Sequence, residues 1–193
     1  LATQICYDAG IPKDALQFVV ATDDVATALI TSERVKAVVL TGGTSTAELF
    51  QRLRPDLYLL AETGGKNATI VSPYADLDLA VDSVVQSAFG HAGQKCSATS
   101  LLILPKALAR DAKFRAQLVD AASSLKVGPA WSLDTRVNPV IQAPEGPLKW
   151  GLENLEEGEE WWLEPHPDPD NPRLWSPGIK GGVRPGSRSH REE

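Results

Sequence analysis

The pattern of apolar and polar positions alternates between two periods. Short apolar runs of strand length occupy residues 16–20, 35–40, 57–61, 67–72 and 101–104, the last closed by Pro105. Between them apolar residues recur at helical spacing. Residues 3–9 read as the last turns of a helix that Gly10 stops. Val25, Ala28 and Leu29 share a face of a second helix, capped by Asp23 or Asp24. A third starts at Thr44 or Ser45 and runs towards Leu53. Leu77, Val81, Val84, Val85 and Ala88 predict a long helix over 76–90, and Phe114, Leu118 and Leu125 mark the apolar side of another over 107–125. Strands alternating with helices over short links predict an α/β fold, a parallel sheet covered by helices, with a second unit starting after Gly64-Gly65.

After residue 143 the pattern breaks down. Most of the 14 prolines lie there, from Pro144 and Pro147 to Pro177 and Pro185. A helix over about 147–158 is expected, then extended and loop structure. Such a stretch does not build its own core and must lie on something else.

Composition narrows the function classes. The chain has 193 residues, is 42% hydrophobic and carries a formal charge of −6, a profile that suits a globular protein with a real core. No basic block offers a grip on nucleic acid. No apolar run approaches a membrane span, and the start has no signal-peptide pattern. Cys6 and Cys96 are too few and too far apart for a disulfide scaffold or a metal cluster, so a reducing, cytoplasmic setting is the expectation. The chain holds no methionine and opens inside a helical pattern, from which a piece of a longer protein is expected.

Three places carry candidate chemistry. Cys96 lies in a loop after a helix, beside Lys95, where a thiolate gains support; a small buried hydrophobe is the alternative, and the one expected for Cys6. Glu62 ends an apolar strand. In a parallel sheet that end faces the functional crevice, and a partly desolvated carboxylate there suits a general base; an ordinary solvated loop glutamate is the alternative. Thr41-Gly42-Gly43-Thr44 joins a strand to a helix start, which suits phosphate or simply a tight turn. His91 reads as a surface or packing histidine. A cysteine–histidine hydrolase pair would need it to meet Cys96 in space.

The order of these motifs is specific. Thr41-Gly42-Gly43, then Glu62-Thr63-Gly64-Gly65-Lys66-Asn67, then Gly93-Gln94-Lys95-Cys96-Ser97-Ala98 resembles the aldehyde dehydrogenase superfamily. Asp76-Leu77-Asp78-Leu79-Ala80 and Leu125-Lys126-Val127-Gly128 resemble its connecting segments. The wording of the glutamate and cysteine loops, with Leu174-Trp175-Ser176-Pro177-Gly178 and Gly182-Val183-Arg184-Pro185-Gly186-Ser187, is similar to the L-glutamate γ-semialdehyde (pyrroline-5-carboxylate) dehydrogenases of the bifunctional proline-utilisation type.

The resemblance implies an aldehyde dehydrogenase-like fold. Residues 1–65 would be part of a Rossmann-like NAD-binding domain and 66–193 part of a catalytic domain. It implies that Cys96 attacks the aldehyde, that Glu62 activates the hydrolytic water, and that Ser97 helps hold a substrate α-carboxylate. Thr41, Gly42, Gly43, Thr44 and Gly64 would contact the cofactor, NAD with NADP left open, and Glu193 the nicotinamide ribose. Gly43 stands where many members have serine. A small-molecule aldehyde is the implied partner, and a homo-oligomer the implied state of the full-length protein. Less than half of a full member is present, so this piece alone is expected to be inactive. A non-catalytic scaffold module, a dehydrogenase of another semialdehyde and an acylating dehydrogenase are the rival readings; Glu62 speaks against the last.

Overall fold

A computed structural model describes residues 1–192. The chain divides into two compact units, Leu1–Thr63 and Gly64–Glu193. Among the described residues, no helix is long and apolar enough to cross a membrane.

The first unit is built on one βαβ crossover. After helices α1 (Ala2–Asp8) and α2 (Asp23–Thr31) come β1 (Ala37–Gly42), α3 (Thr44–Leu53) and β2 (Tyr58–Thr63). β1 and β2 pair in parallel, with Val38 opposite Leu59, Leu40 opposite Ala61 and Thr41 opposite Glu62. α3 packs against both strands and α2 packs against α3. The alternation of the strands decides what is covered: Val38, Leu40 and Leu59 are half-buried, whereas Val39, Tyr58 and Leu60 are exposed.

Three expectations fail in this unit. Residues 16–20 form no strand; Phe18, Val19 and Val20 are exposed, and the run finds no ladder partner among the described residues. Asp23 and Asp24 do not cap α2. They sit in its first turn after Thr22, where their charge suits the helix dipole. The buried side of α2 is Ile30 with half-buried Ala26 and Thr27, while Val25, Ala28 and Leu29 are exposed.

Arg54 ties this unit together. Its Nη1 donates to the carbonyl oxygens of Ser32 and Val35 at 2.8 Å each, and to that of Ile30 at 3.3 Å. The end of α3 is thereby fastened to the end of α2 and to the approach to β1.

The second unit repeats the crossover. β3 (Ala68–Ile70), α4 (Leu77–Phe89) and β4 (Leu101–Ile103) are followed by α5 (Lys106–Ala109) and α6 (Ala112–Ser123), and β3 pairs with β4 in parallel. The Asp76 carboxylate accepts the N–H groups of Asp78 and Leu79 and so starts α4. Val81, Val84 and Val85 of α4 meet Phe114, Leu118 and Ala122 of α6 in the core. The single helix expected over 107–125 is two. Asp111 takes the N–H groups of Lys113 and Phe114, so its side chain starts a new helix where apolar periodicity alone would continue the old one.

The proline-rich stretch lies on this core. After α7 (Gly146–Glu153), shorter than the expected 147–158, β5 (Glu160–Leu163) and β6 (Ile179–Gly181) pair antiparallel; α8 (Arg188–Arg191) follows. Trp162, Leu163 and Ile179 pack against the α4–α6 cluster. Gly182 has a φ of +76°, and a side chain there would run into the Gly158 carbonyl. Lys180 lies over the rings of Trp150 and Trp161, 4.8 and 5.0 Å from their centroids. Its ammonium faces the buried Glu159 carboxylate at 3.8 Å. Burial pushes the Lys180 amine below the usual lysine range, against the opposing pull of Glu159 and Glu156.

Residues 164–178 leave the hairpin and return to it. Leu174 is buried, the Val140 N–H donates to the Arg173 carbonyl, and Asp168 accepts the N–H groups of Asp170 and Asn171. Pro169, Asp170, Pro172 and Arg173 at the tip are exposed.

Candidate functional site

In the first unit the candidates cluster at one end of the sheet. Parallel pairing sets Thr41 opposite Glu62 and Gly42 opposite Thr63, so the glycine turn and the glutamate share the C-terminal edge. Gly43 (φ −75°) caps α3, and its carbonyl accepts the N–H groups of Thr46 and Ala47 at 3.0 and 3.3 Å. The N–H groups of Thr44 and Ser45 have no intrahelical acceptor. No acidic residue sits in this first turn. A Cβ built on Gly43 would find Ser45 Oγ at 3.6 Å and Thr46 Oγ1 at 4.0 Å. Open space, free N–H groups and hydroxyls at the start of a ten-residue helix fit an anionic diphosphate.

Glu62 itself is exposed. The partial desolvation expected of it is absent, because it leaves the strand on the uncovered face, in line with Tyr58 and Leu60.

In the second unit, Cys96 and Ser97 occupy the middle of a four-residue turn. α4 ends in a left-handed passage: His91 and Ala92 have φ of +57° and +53°, and Gly93 follows at +71°. Two successive non-glycine residues there carry strain of order 1–3 kcal/mol each. The Ala98 N–H then donates to the Lys95 carbonyl at 3.0 Å, closing the turn. In a trans peptide the C=O and N–H point in opposite directions. With the Lys95 carbonyl aimed into the turn, the Cys96 N–H points out of it and has no acceptor among the described residues. Cys96, Ser97 and His91 are all exposed.

Neighbouring side chains hold this loop. Asn67 Nδ2 lies 2.7 Å from the Cys96 carbonyl oxygen and 3.1 Å from that of Ala98. Thr99 hydrogen-bonds Ser87 of α4 and Thr69 of β3. Gln94 Oε1 accepts the Ile141 N–H at 3.0 Å, tying the loop to residues 139–141. Asn67 and Gln94 stand inside the quoted motifs, yet their roles depend on partners 29 and 47 positions away. The local signal is a side-chain amide within two residues of a glycine, next to a strand or a turn.

Thr41, Gly42, Gly43, Thr44 and Glu62 therefore belong to the first unit, and Gly64, Cys96 and Ser97 to the second. Glu193 lies outside the described residues.

The chain is 46% identical to proline utilization A (PutA) from Corynebacterium freiburgense, with a TM-score of 0.90, covering 98% of this chain and 19% of that one. It is 34% identical to the N-succinylglutamate 5-semialdehyde dehydrogenase of Paraburkholderia xenovorans (strain LB400), covering 66% of this chain and 27% of that protein. The NADP-dependent glyceraldehyde-3-phosphate dehydrogenase from Bacillus halodurans C-125, solved with NADP, is 27% identical at a TM-score of 0.83, covering 97% and 39%. The chain thus spans well under half the length of these relatives. The aldehyde dehydrogenase family matches residues 1–193, and this α/β chain belongs to it.

Proposed function

We propose that the chain is part of an NAD(P)-dependent aldehyde dehydrogenase that oxidises L-glutamate γ-semialdehyde to L-glutamate in proline catabolism. The observation that carries this reading is the Lys95–Ala98 turn, which exposes the Cys96 thiol and directs the Cys96 N–H outward. The branch rests on the likeness to the Corynebacterium PutA protein.

In this reading Cys96 Sγ, as thiolate, bonds to the aldehyde carbon, and the carbonyl π electrons move to oxygen. The outward Cys96 N–H receives that oxyanion. Gly42, Gly43 and the start of α3 hold the diphosphate of the dinucleotide, joined by Thr41, Thr44 and Gly64. When bound, the dinucleotide supplies the hydride acceptor that turns the adduct into a thioester. Glu62 takes a proton from water; the hydroxide adds to the acyl carbon, the C–S bond breaks and the thiolate returns. Splitting the oxidation in two avoids one high barrier. Ser97, next to the nucleophile, supports the substrate's α-carboxylate, and Glu193 is proposed for the nicotinamide ribose.

The test uses the full-length enzyme. Cys96→Ser abolishes aldehyde oxidation. Glu62→Gln yields one equivalent of reduced dinucleotide and then stalls as the thioester. Undiminished steady-state turnover in either variant sinks the mechanism. A clear preference for an aldehyde without an α-carboxylate sinks the substrate and makes a dehydrogenase of another semialdehyde the better reading. A Cys96 inert to iodoacetamide near neutral pH favours a non-catalytic scaffold.

A further inference from the structure

The turn around Cys96 has a single internal bond, Ala98 N–H to Lys95 carbonyl. One bond closes a turn but leaves its exit free to swivel. Asn67 removes that freedom. Its Nδ2 reaches the carbonyl oxygens of Cys96 (2.7 Å), Ala98 (3.1 Å) and Gly65 (3.3 Å). An amide nitrogen has two hydrogens, so the two shorter contacts take them and Gly65 shares. The backbone carbonyl of the same residue accepts the N–H groups of Ser100 and Leu101, both at 3.0 Å. One residue thereby fixes the Cys96–Ser97 peptide plane inside the turn, the Ala98–Thr99 plane at its exit, and the route from it into β4. Asn67 is itself held at the start of β3, whose pairing with β4 is continuous with these bonds.

We infer that Asn67 is a positioning residue for the reaction at Cys96: it sets the orientation of the turn so that the Cys96 N–H meets the oxyanion as it forms. The inference rests on the reading of Cys96 as nucleophile given above. Asn67 touches no reacting atom. Its effect lies in preorganisation, because a donor that must swing into place stabilises developing charge less than one already there. The thiol needs no such help: it is exposed, and the hydrogen bond from Asn67 goes to the Cys96 carbonyl oxygen.

The experiment compares the native full-length enzyme with Asn67→Asp and Asn67→Ser. Aspartate keeps the shape but sets a carboxylate oxygen against two carbonyl oxygens; serine keeps one short donor. Turnover is measured per titrated active site, alongside the rate of Cys96 alkylation by iodoacetamide, mapped by mass spectrometry, and amide exchange over residues 95–101. Asn67→Asp is expected to lower per-site kcat about 10²-fold, the cost of a misplacement of about 1 Å. Its alkylation rate stays close to native, since that reaction uses no oxyanion donor. Exchange over 95–101 accelerates, and Asn67→Ser recovers part of both changes. A purely structural role lowers the number of active sites and leaves per-site kcat unchanged, which overturns the inference. An equal fall in turnover and alkylation overturns it as well. A native enzyme that oxidises no aldehyde defeats the reading of Cys96 instead; unchanged exchange in Asn67→Asp then shows that Asn67 does not hold the turn.

Discussion

Replacing Arg54 by alanine should loosen the first unit by about 2–3 kcal/mol, and the figure follows from the bonds it makes. The Arg54 side chain is only 12% exposed. Two hydrogens on Nη1 serve the Ser32 and Val35 carbonyls at 2.8 Å, with Ile30 a longer third partner. A hydrogen bond from a charged donor contributes roughly 1.5–3 kcal/mol, and ordering the long side chain costs up to about 2 kcal/mol in return. Asp56, on the other side of the guanidinium, is 77% exposed. Such an exposed pair is weak and solvent-screened, so Asp56→Ala should cost far less than Arg54→Ala. Arg54→Lys keeps the charge but loses the planar fork, and should fall between the two. The assay is native-state amide exchange over residues 30–42 in the full-length protein. A parallel readout is the Asp56 carboxyl, which hydrogen bonding from Arg54 holds below its ordinary 3.8; in Arg54→Ala it should rise towards that value. An Asp56→Ala cost equal to that of Arg54→Ala would refute the reasoning, because the ion pair and not the carbonyl clamp would then be the fastening.

Two further outcomes are expected. Gly43 caps α3 at a φ of −75°, with no atom closer than 3.6 Å to a built Cβ. Gly43→Ser should therefore stabilise the first unit by about 0.5–1 kcal/mol in a denaturant titration, since serine restricts the unfolded chain and caps well; a loss of stability would show that glycine is required there. The Asp134 carboxyl is held down at about 2 by hydrogen bonds from the Lys126 ammonium and the Ser132 hydroxyl. Because folding lowers this value from 3.8, its contribution is complete above about pH 4 and fades as the pH falls towards 2. NMR titration should place its midpoint near that lower value and move it upward in Lys126→Met.

Periodicity is a reliable guide where one element covers another. Val81, Val84 and Val85 recur at helical spacing because α6 lies against that face, and the spacing alone located α4. The same logic misplaced the buried side of α2. Val25 and Leu29 are apolar, but burial goes to Ile30 with Ala26 and Thr27, and composition does not say which face meets a partner. Residues 16–20 have strand composition without a ladder, and a ladder is a property of two segments. At Asp111 one side-chain oxygen outweighs a continuous apolar stripe. For the candidate site, residue type and position were readable: a thiol after a helix, a carboxylate at a strand end, glycines before a helix. The exposure of Glu62 and the grip of Asn67 on distant carbonyls were not, since both follow from how segments remote in sequence come together.

The excursion between Leu163 and Ile179 has its own practical consequence. Its ends are clamped by the hairpin and its middle by Leu174 and the bond to Val140, while Pro169 and Asp170 at the tip are exposed. Closure entropy grows only slowly with added length. That tip is therefore a permissive graft point: an epitope or fluorophore-bearing peptide placed there should leave the packing of Trp162 on α6 undisturbed.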